Sequence, residues 1–137
     1  MSLKLRLHRL INGTYTLPEY VMQVRNRRDR SILAKLRFGC LDLDIETGRW
    51  RNIERDNRIC KICQSGSIED ELHFVFQCTS LNAIRVQFAI DLPILENTNM
   101  DERDKFVFLL TKCNPKLVSV YIRELYDHRR NILYIRV

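Results

Sequence analysis

The chain has 137 residues, 45% of them hydrophobic and 29% charged, with only 4 Gly and 3 Pro. These values describe one globular domain and exclude a disordered or fibrous chain. Scarce Gly and Pro also argue against an all-β sandwich, whose turns need both. The formal net charge is +6 and the sequence pI about 9.3, which makes nucleic acid the first partner class to consider.

The segment from Met1 to Arg9 alternates Leu with basic residues. It lacks the continuous apolar region of a secretory signal, and no later stretch approaches the ~18 uncharged apolar residues of a membrane span. Five cysteines form an odd number. Without an export signal, that favours a reducing intracellular compartment, nucleus or cytoplasm, and thiol or metal chemistry. No membrane is expected among the partners.

Asn12-Gly13-Thr14 is a turn signal, and Thr16-Leu17-Pro18 can open a helix. Helical character is predicted from about Pro18 to Phe38, in one or two pieces. Ile32, Leu33 and Leu36 form its apolar stripe, and Arg25, Arg27, Arg28, Arg30, Lys35 and Arg37 its surface. Gly39 is the expected stop. Leu41, Leu43 and Ile45 alternate with Asp42, Asp44 and Glu46, which predicts an extended segment turned by Thr47-Gly48.

Ser67 and Asp70 have capping-box spacing and predict a helix from about Ile68. Asp101 and Asp104 open another amphipathic run, with Phe106, Val107, Leu109 and Leu110 on its buried side. Asn114-Pro115 reads as an N-cap and first-turn proline. Leu117, Val118, Tyr121, Ile122, Leu125 and Tyr126 then mark one face of a last helix reaching about Leu133. The expected fold is therefore mainly α, a single small helical domain. It divides into a basic helical part (1–40), a central cysteine-rich part (41–88) and a C-terminal helical part (89–137).

The chemistry lies in the central part. Cys60 and Cys63 form a Cys-x2-Cys pair, His73 follows after nine residues, and Cys78 after four more. Such a pair presents two thiolates to one metal from a tight turn, and a nearby His and Cys complete a tetrahedron. Three sulfurs and one nitrogen select Zn2+, one ion per chain. Four protein ligands leave no open position, so the ion is expected to be structural. A redox pair is the alternative for Cys-x2-Cys, but the βαβ pattern it needs is missing. Cys40 and Cys113 stand alone and read as core cysteines, and His8 and His128 as solvated side chains.

Charge is blocked along the chain. Residues 25–61 carry 11 basic and 6 acidic residues, and residues 62–107 carry 3 and 8. Arg49, Arg51, Arg55, Arg58 and Lys61 lead directly into the first ligands, where a metal-fixed turn can aim them at phosphates. Trp50 among them can stack on a base, although core packing is the preferred reading for so large an apolar surface. A solvated face is the alternative for the basic run. The acidic middle would repel a strand crossing it. No nucleotide-binding loop, hydrolase or metalloprotease motif is present. The paired carboxylates of a polymerase are also missing, so no catalytic residue is expected.

Ile45-Glu46-Thr47-Gly48-Arg49-Trp50, then Arg58-Ile59-Cys60-Lys61-Ile62-Cys63, then the run from Ile68 to Cys78 together resemble a known region. It is the zinc-binding region C-terminal to the reverse transcriptase of animal non-LTR retrotransposons. The likeness is strongest over residues 45–88. Nine residues separate Cys63 from His73, where retroviral knuckles place four, and the polymerase core of such an element is absent. The resemblance implies a non-catalytic piece that holds RNA or DNA near a reverse transcriptase core or another protein. The competing expectation is a zinc-stapled protein-interaction or scaffold domain. A nuclease or thiol-redox enzyme ranks third.

Overall fold

The computed structural model describes Ile11 and residues 19–135. The turn and helix start predicted at residues 12–18, and His8, lie outside the described residues. Among the described residues six α-helices follow one another: α1 (Glu19–Gln23), α2 (Arg27–Arg37), α3 (Asp44–Trp50), α4 (Asn82–Ala89), α5 (Glu102–Lys112) and α6 (Pro115–Ile135). Short 3-10 turns cover Arg55–Asn57, Thr79–Leu81 and Pro93–Glu96, and a wide π-helical turn covers His73–Gln77. Among the described residues there is no sheet. A single antiparallel bridge pairs Ile59 with Ile68.

The predicted first helix is two helices. Asn26 breaks it, because its side chain accepts from the Asp29 N–H at 3.0 Å and caps α2. Gly39 takes φ 67° just after α2, the left-handed geometry that ends a helix. Asp101 caps α5 and the Asn114 side chain accepts from Lys116 N–H at the start of α6.

Helix α6 is the spine. Val118, Tyr121, Ile122 and Leu125 are all buried, and α2, α1, α4 and α5 pack along it. Ile32, Leu33 and Leu36 of α2 and Phe106 and Leu109 of α5 complete the same core. This is a one-core solution for amphipathic helices too short to be stable alone.

Three local expectations are corrected. Residues 44–50 form helix α3 and not an extended segment. The alternation there was real, but burial follows contacts that alternation does not encode: Leu43, Asp44 and Glu46 are all buried. Gly48 sits inside that helix, not in a turn. A Cβ there would lie 2.5 Å from Arg58 Cγ, so glycine is needed for the close approach of Arg58. The helix predicted from Ile68 starts at Glu71. Asp70, not Ser67, caps it, accepting from His73 N–H at 2.8 Å. The Ser67 carbonyl is taken by Cys60 N–H instead.

Candidate metal centre and nucleic-acid interface

Two short pieces build the candidate metal centre. In the first, the chain folds back on itself from Arg58 to Glu69. Cys60 N–H donates to Ser67 O and Glu69 N–H to Arg58 O. Gln64 (φ 47°) and Gly66 (φ 77°) make the reversal in left-handed geometry. In the second, Cys78 N–H donates to His73 O at 2.8 Å, closing an i→i+5 turn. In an α-helix, residues five apart point about 140° away from each other. The wider turn nearly completes a circle in five residues, so His73 and Cys78 face the same way.

Cys60, Cys63, His73 and Cys78 are all buried, and their ligand atoms lie within 4.8 Å of one another. Cys60 Sγ is 4.0 Å from Cys78 Sγ, and Cys63 Sγ is 3.3 Å from His73 Nε2. Donors ~2.3 Å from a common centre at tetrahedral angles stand roughly 3.8 Å apart. The cluster therefore has the size of one tetrahedral metal site, and its donors are the set that could hold one metal ion. These four residues are the ones expected from their spacing.

The surroundings orient each donor. His73 Nδ1 lies 3.3 Å from Gln77 Oε1, which leaves Nε2 for the thiols. Gln77 in turn donates to Glu102. Arg85 donates to the Cys78 carbonyl from both terminal nitrogens at 3.2 Å, and the Tyr121 hydroxyl donates to Val75 O at 2.6 Å. Arg85 Nε also donates to Val75 O at 3.2 Å, so these two buried groups meet on one carbonyl of the π-helical turn and on that of its C-cap, Cys78. Gln77 was legible as the i+4 neighbour of His73. Nothing local to the sequence marks Arg85 or Tyr121.

Protons follow the same geometry. A hydrogen bond with Cys78, reinforced by burial, pushes the Cys60 thiol up to about 12. The same bond holds Cys78 below its ordinary value. Burial opposes a charged His73, but hydrogen bonds and charge from Cys60 and Cys63 outweigh it and lift the imidazole to about 9.

Beneath Cys60 lies a buried charge cluster. The Cys60 thiol donates to Glu69 Oε2 at 3.7 Å. Glu69 also accepts from Asp44 N–H at 2.7 Å and from Arg129 twice, at 2.8 Å each. Lys61 pairs with Asp44 at 3.1 Å.

The basic run expected to grip phosphate splits into two groups. Arg58 turns inward, donating to Ile53 O at 2.9 Å and Ile45 O at 3.1 Å. Lys61 is committed to Asp44. Both side chains thus have partners within the fold, Arg58 half-buried and Lys61 exposed. Arg49 is exposed and pairs with Glu46 at 2.5 Å. Arg51 and Arg55 are exposed without side-chain partners among the described residues. Trp50 is 60% exposed, so the preference for core packing is overturned. It sits at the last position of a seven-residue helix, beyond the face that meets the core. Cys40 is exposed and so is not a core cysteine, whereas Cys113 is half-buried and packs against the core. His128 is exposed, as expected. Arg37, expected on the surface, is buried; it donates to Leu110 O at 2.7 Å and stacks on Tyr20.

No helix of the described residues is long and apolar enough to cross a membrane. No protein-family model, no curated protein and no solved structure matches the chain.

Proposed function

We propose that this chain is a zinc-stapled nucleic-acid-binding module without catalysis of its own. The observation that carries the metal is the buried Cys60, Cys63, His73 and Cys78 cluster at tetrahedral size. Three soft sulfurs and an imidazole favour Zn2+ over hard cations, and four protein donors leave no place for substrate water. The ion closes the Arg58–Glu69 reversal onto the His73–Cys78 turn, and its binding free energy adds to folding.

The nucleic-acid reading rests on the surface next to that staple. Arg49, Trp50, Arg51 and Arg55 are exposed together, an aromatic ring among guanidiniums, the pairing that sequence-tolerant strand binding uses. The resemblance to the region following a retrotransposon reverse transcriptase supports the same role, holding RNA or DNA beside a polymerase core. The test is a salt titration of binding to a labelled single strand with the zinc-loaded chain. Binding should weaken with a log–log slope of about −0.7 per phosphate contact. Replacing Arg49, Arg51 and Arg55 with Gln should lower affinity and flatten the slope while zinc stays bound. A chain that binds zinc but no strand at low salt refutes the reading.

One observation favours a second reading, a protein-docking scaffold. Val86 of α4, Ile90 just after it and Phe108 of α5 are exposed at 55%, 83% and 40%. Loss of a partner protein on Ile90→Asp, with nucleic-acid binding absent in the parent, would favour it.

A further inference from the structure

The run beside the candidate metal centre is not the one basic feature among the described residues. A groove of about 490 Å³ lies between α2 and α6, lined by Arg27, Arg28, Ser31, Lys35, Tyr126 and Arg130, with the buried Ile32 at its floor. On α2, residues 27, 31 and 35 repeat every fourth position and so share one face. On α6, residues 126, 130 and 134 do the same. Tyr126 and Arg130 face the α2 stripe across the groove, and Tyr134 lies beyond Arg130.

Its charges are available. Arg27 and Lys35 are exposed and have no side-chain partner among the described residues. Arg130 is exposed and lies between two tyrosine rings, 5.8 Å from the centre of Tyr126 and 5.7 Å from that of Tyr134. Those contacts hold its guanidinium at the mouth of the groove without neutralising it. Arg28 is paired with Asp127, the Tyr126 hydroxyl donates to Asp42 at 2.8 Å, and Asp29 is taken by Arg123. Thus Arg27 and Lys35 have no ion-pair partner among the described residues, and Arg130 shares the field of Asp127, which Arg28 already pairs. Tyr134 is 67% exposed at the end of the row.

We propose that this groove is a binding track for the phosphates of a single-stranded nucleic acid, with Tyr134 as the platform for one base. It rests on the reading of the chain as a nucleic-acid-binding module and places a contact surface where that reading did not look. Cations in two rows fit a phosphate backbone. An exposed ring beside them fits an unpaired base, which a duplex keeps inside its own stack. The lining offers no exposed aliphatic side chain to insert into a bilayer.

The test uses the full zinc-loaded chain and a labelled oligouridine strand, followed by fluorescence anisotropy through a salt series. Arg27→Gln/Lys35→Gln should bind about tenfold more weakly, with a slope shallower by about 1.4, two contacts at ~0.7 each. Tyr134→Ala should weaken binding by a similar factor at unchanged slope, since stacking releases no counterion. Both changes are at exposed side chains, and a thermal melt confirms the fold. A parent that binds the strand while Arg27→Gln/Lys35→Gln matches it in affinity and slope overturns the groove but leaves the general reading. A parent that binds no strand overturns both. A parent that prefers polyglutamate to oligouridine at equal salt overturns the nucleic-acid occupant in favour of an acidic protein.

Discussion

Arg129 and Glu69, sixty residues apart in sequence, form a bidentate pair with both bonds at 2.8 Å and both side chains buried. The pair ties the middle of α6 to the loop that carries Cys60, whose thiol touches the same carboxylate. When Cys60 ligates a metal as thiolate, Glu69 stands beside it as a second negative charge. Arg129 then becomes the compensating cation, with Lys61 on Asp44 completing the balance. The candidate metal centre and the helical core are thus joined by one buried charge network.

That network predicts an asymmetric response to mutation. Arg129→Ala strands a buried carboxylate and should cost about 3–5 kcal/mol. Arg129→Met combined with Glu69→Gln removes both charges and should recover a large part of the loss. Chemical denaturation of the zinc-loaded proteins measures both. Equal losses in the single and double variants would show that the pair itself is not what Arg129 contributes.

Gln77 should tune the metal and not the fold. It holds His73 Nδ1 at 3.3 Å and is itself exposed. Gln77→Ala should reduce zinc affinity about 10–100-fold through loss of ring orientation. Competition against a chromophoric chelator reads this directly, and an unchanged affinity would rule out the orienting role.

Chelation should unfold the central part, because ligation free energy is folding free energy there. Cys63→Ser should reproduce the chelated state. Cys40→Ser, at an exposed thiol, should leave both zinc content and melting unchanged. Amide exchange over residues 58–78 with and without chelator is the measurement.

Gly48→Ala places a methyl group 2.5 Å from Arg58 Cγ, on a side chain pinned by bonds to Ile53 O and Ile45 O. The clash should cost about 1–3 kcal/mol. Adding Arg58→Ala should relieve the steric part, so the double variant should melt above the sum of its single effects.

Asp127 is held below the usual carboxylate range, first by its hydrogen bonds from Arg28. A lowered folded pKa contributes stability above the ordinary carboxylate range, and that contribution is lost as pH falls through the folded value. The pair is largely exposed, so the contribution should stay under about 1 kcal/mol. Asp127→Asn should therefore be slightly less stable than the parent at neutral pH, with the difference vanishing in acid. The same change frees Arg28 toward the groove and should tighten strand binding, measured in the same anisotropy series.

The sequence by itself determined what depends on short spacings. Cys60, Cys63, His73 and Cys78 announce their cluster because each half is closed locally, one by a reversal and the other by a single wide turn. Helices α5 and α6 announce themselves through caps at Asp101 and Asn114 and an unbroken apolar face. Tertiary structure decided which polar side chains are free. Arg55 and Arg58 are three residues apart and alike in sequence, yet Arg58 turns inward only because Gly48 leaves room and two carbonyls wait there. Trp50 stays outside because α3 ends where the core does. Asp42, Asp44 and Glu46 alternate with Leu41, Leu43 and Ile45 in sequence. Asp44 is buried against Lys61 and Arg129, partners seventeen and eighty-five positions away. The groove of Arg27, Lys35 and Arg130 exists only once α2 lies along α6. Local spacing encodes helices and metal ligands, whereas the fate of a charge depends on long-range partners that no window of sequence contains.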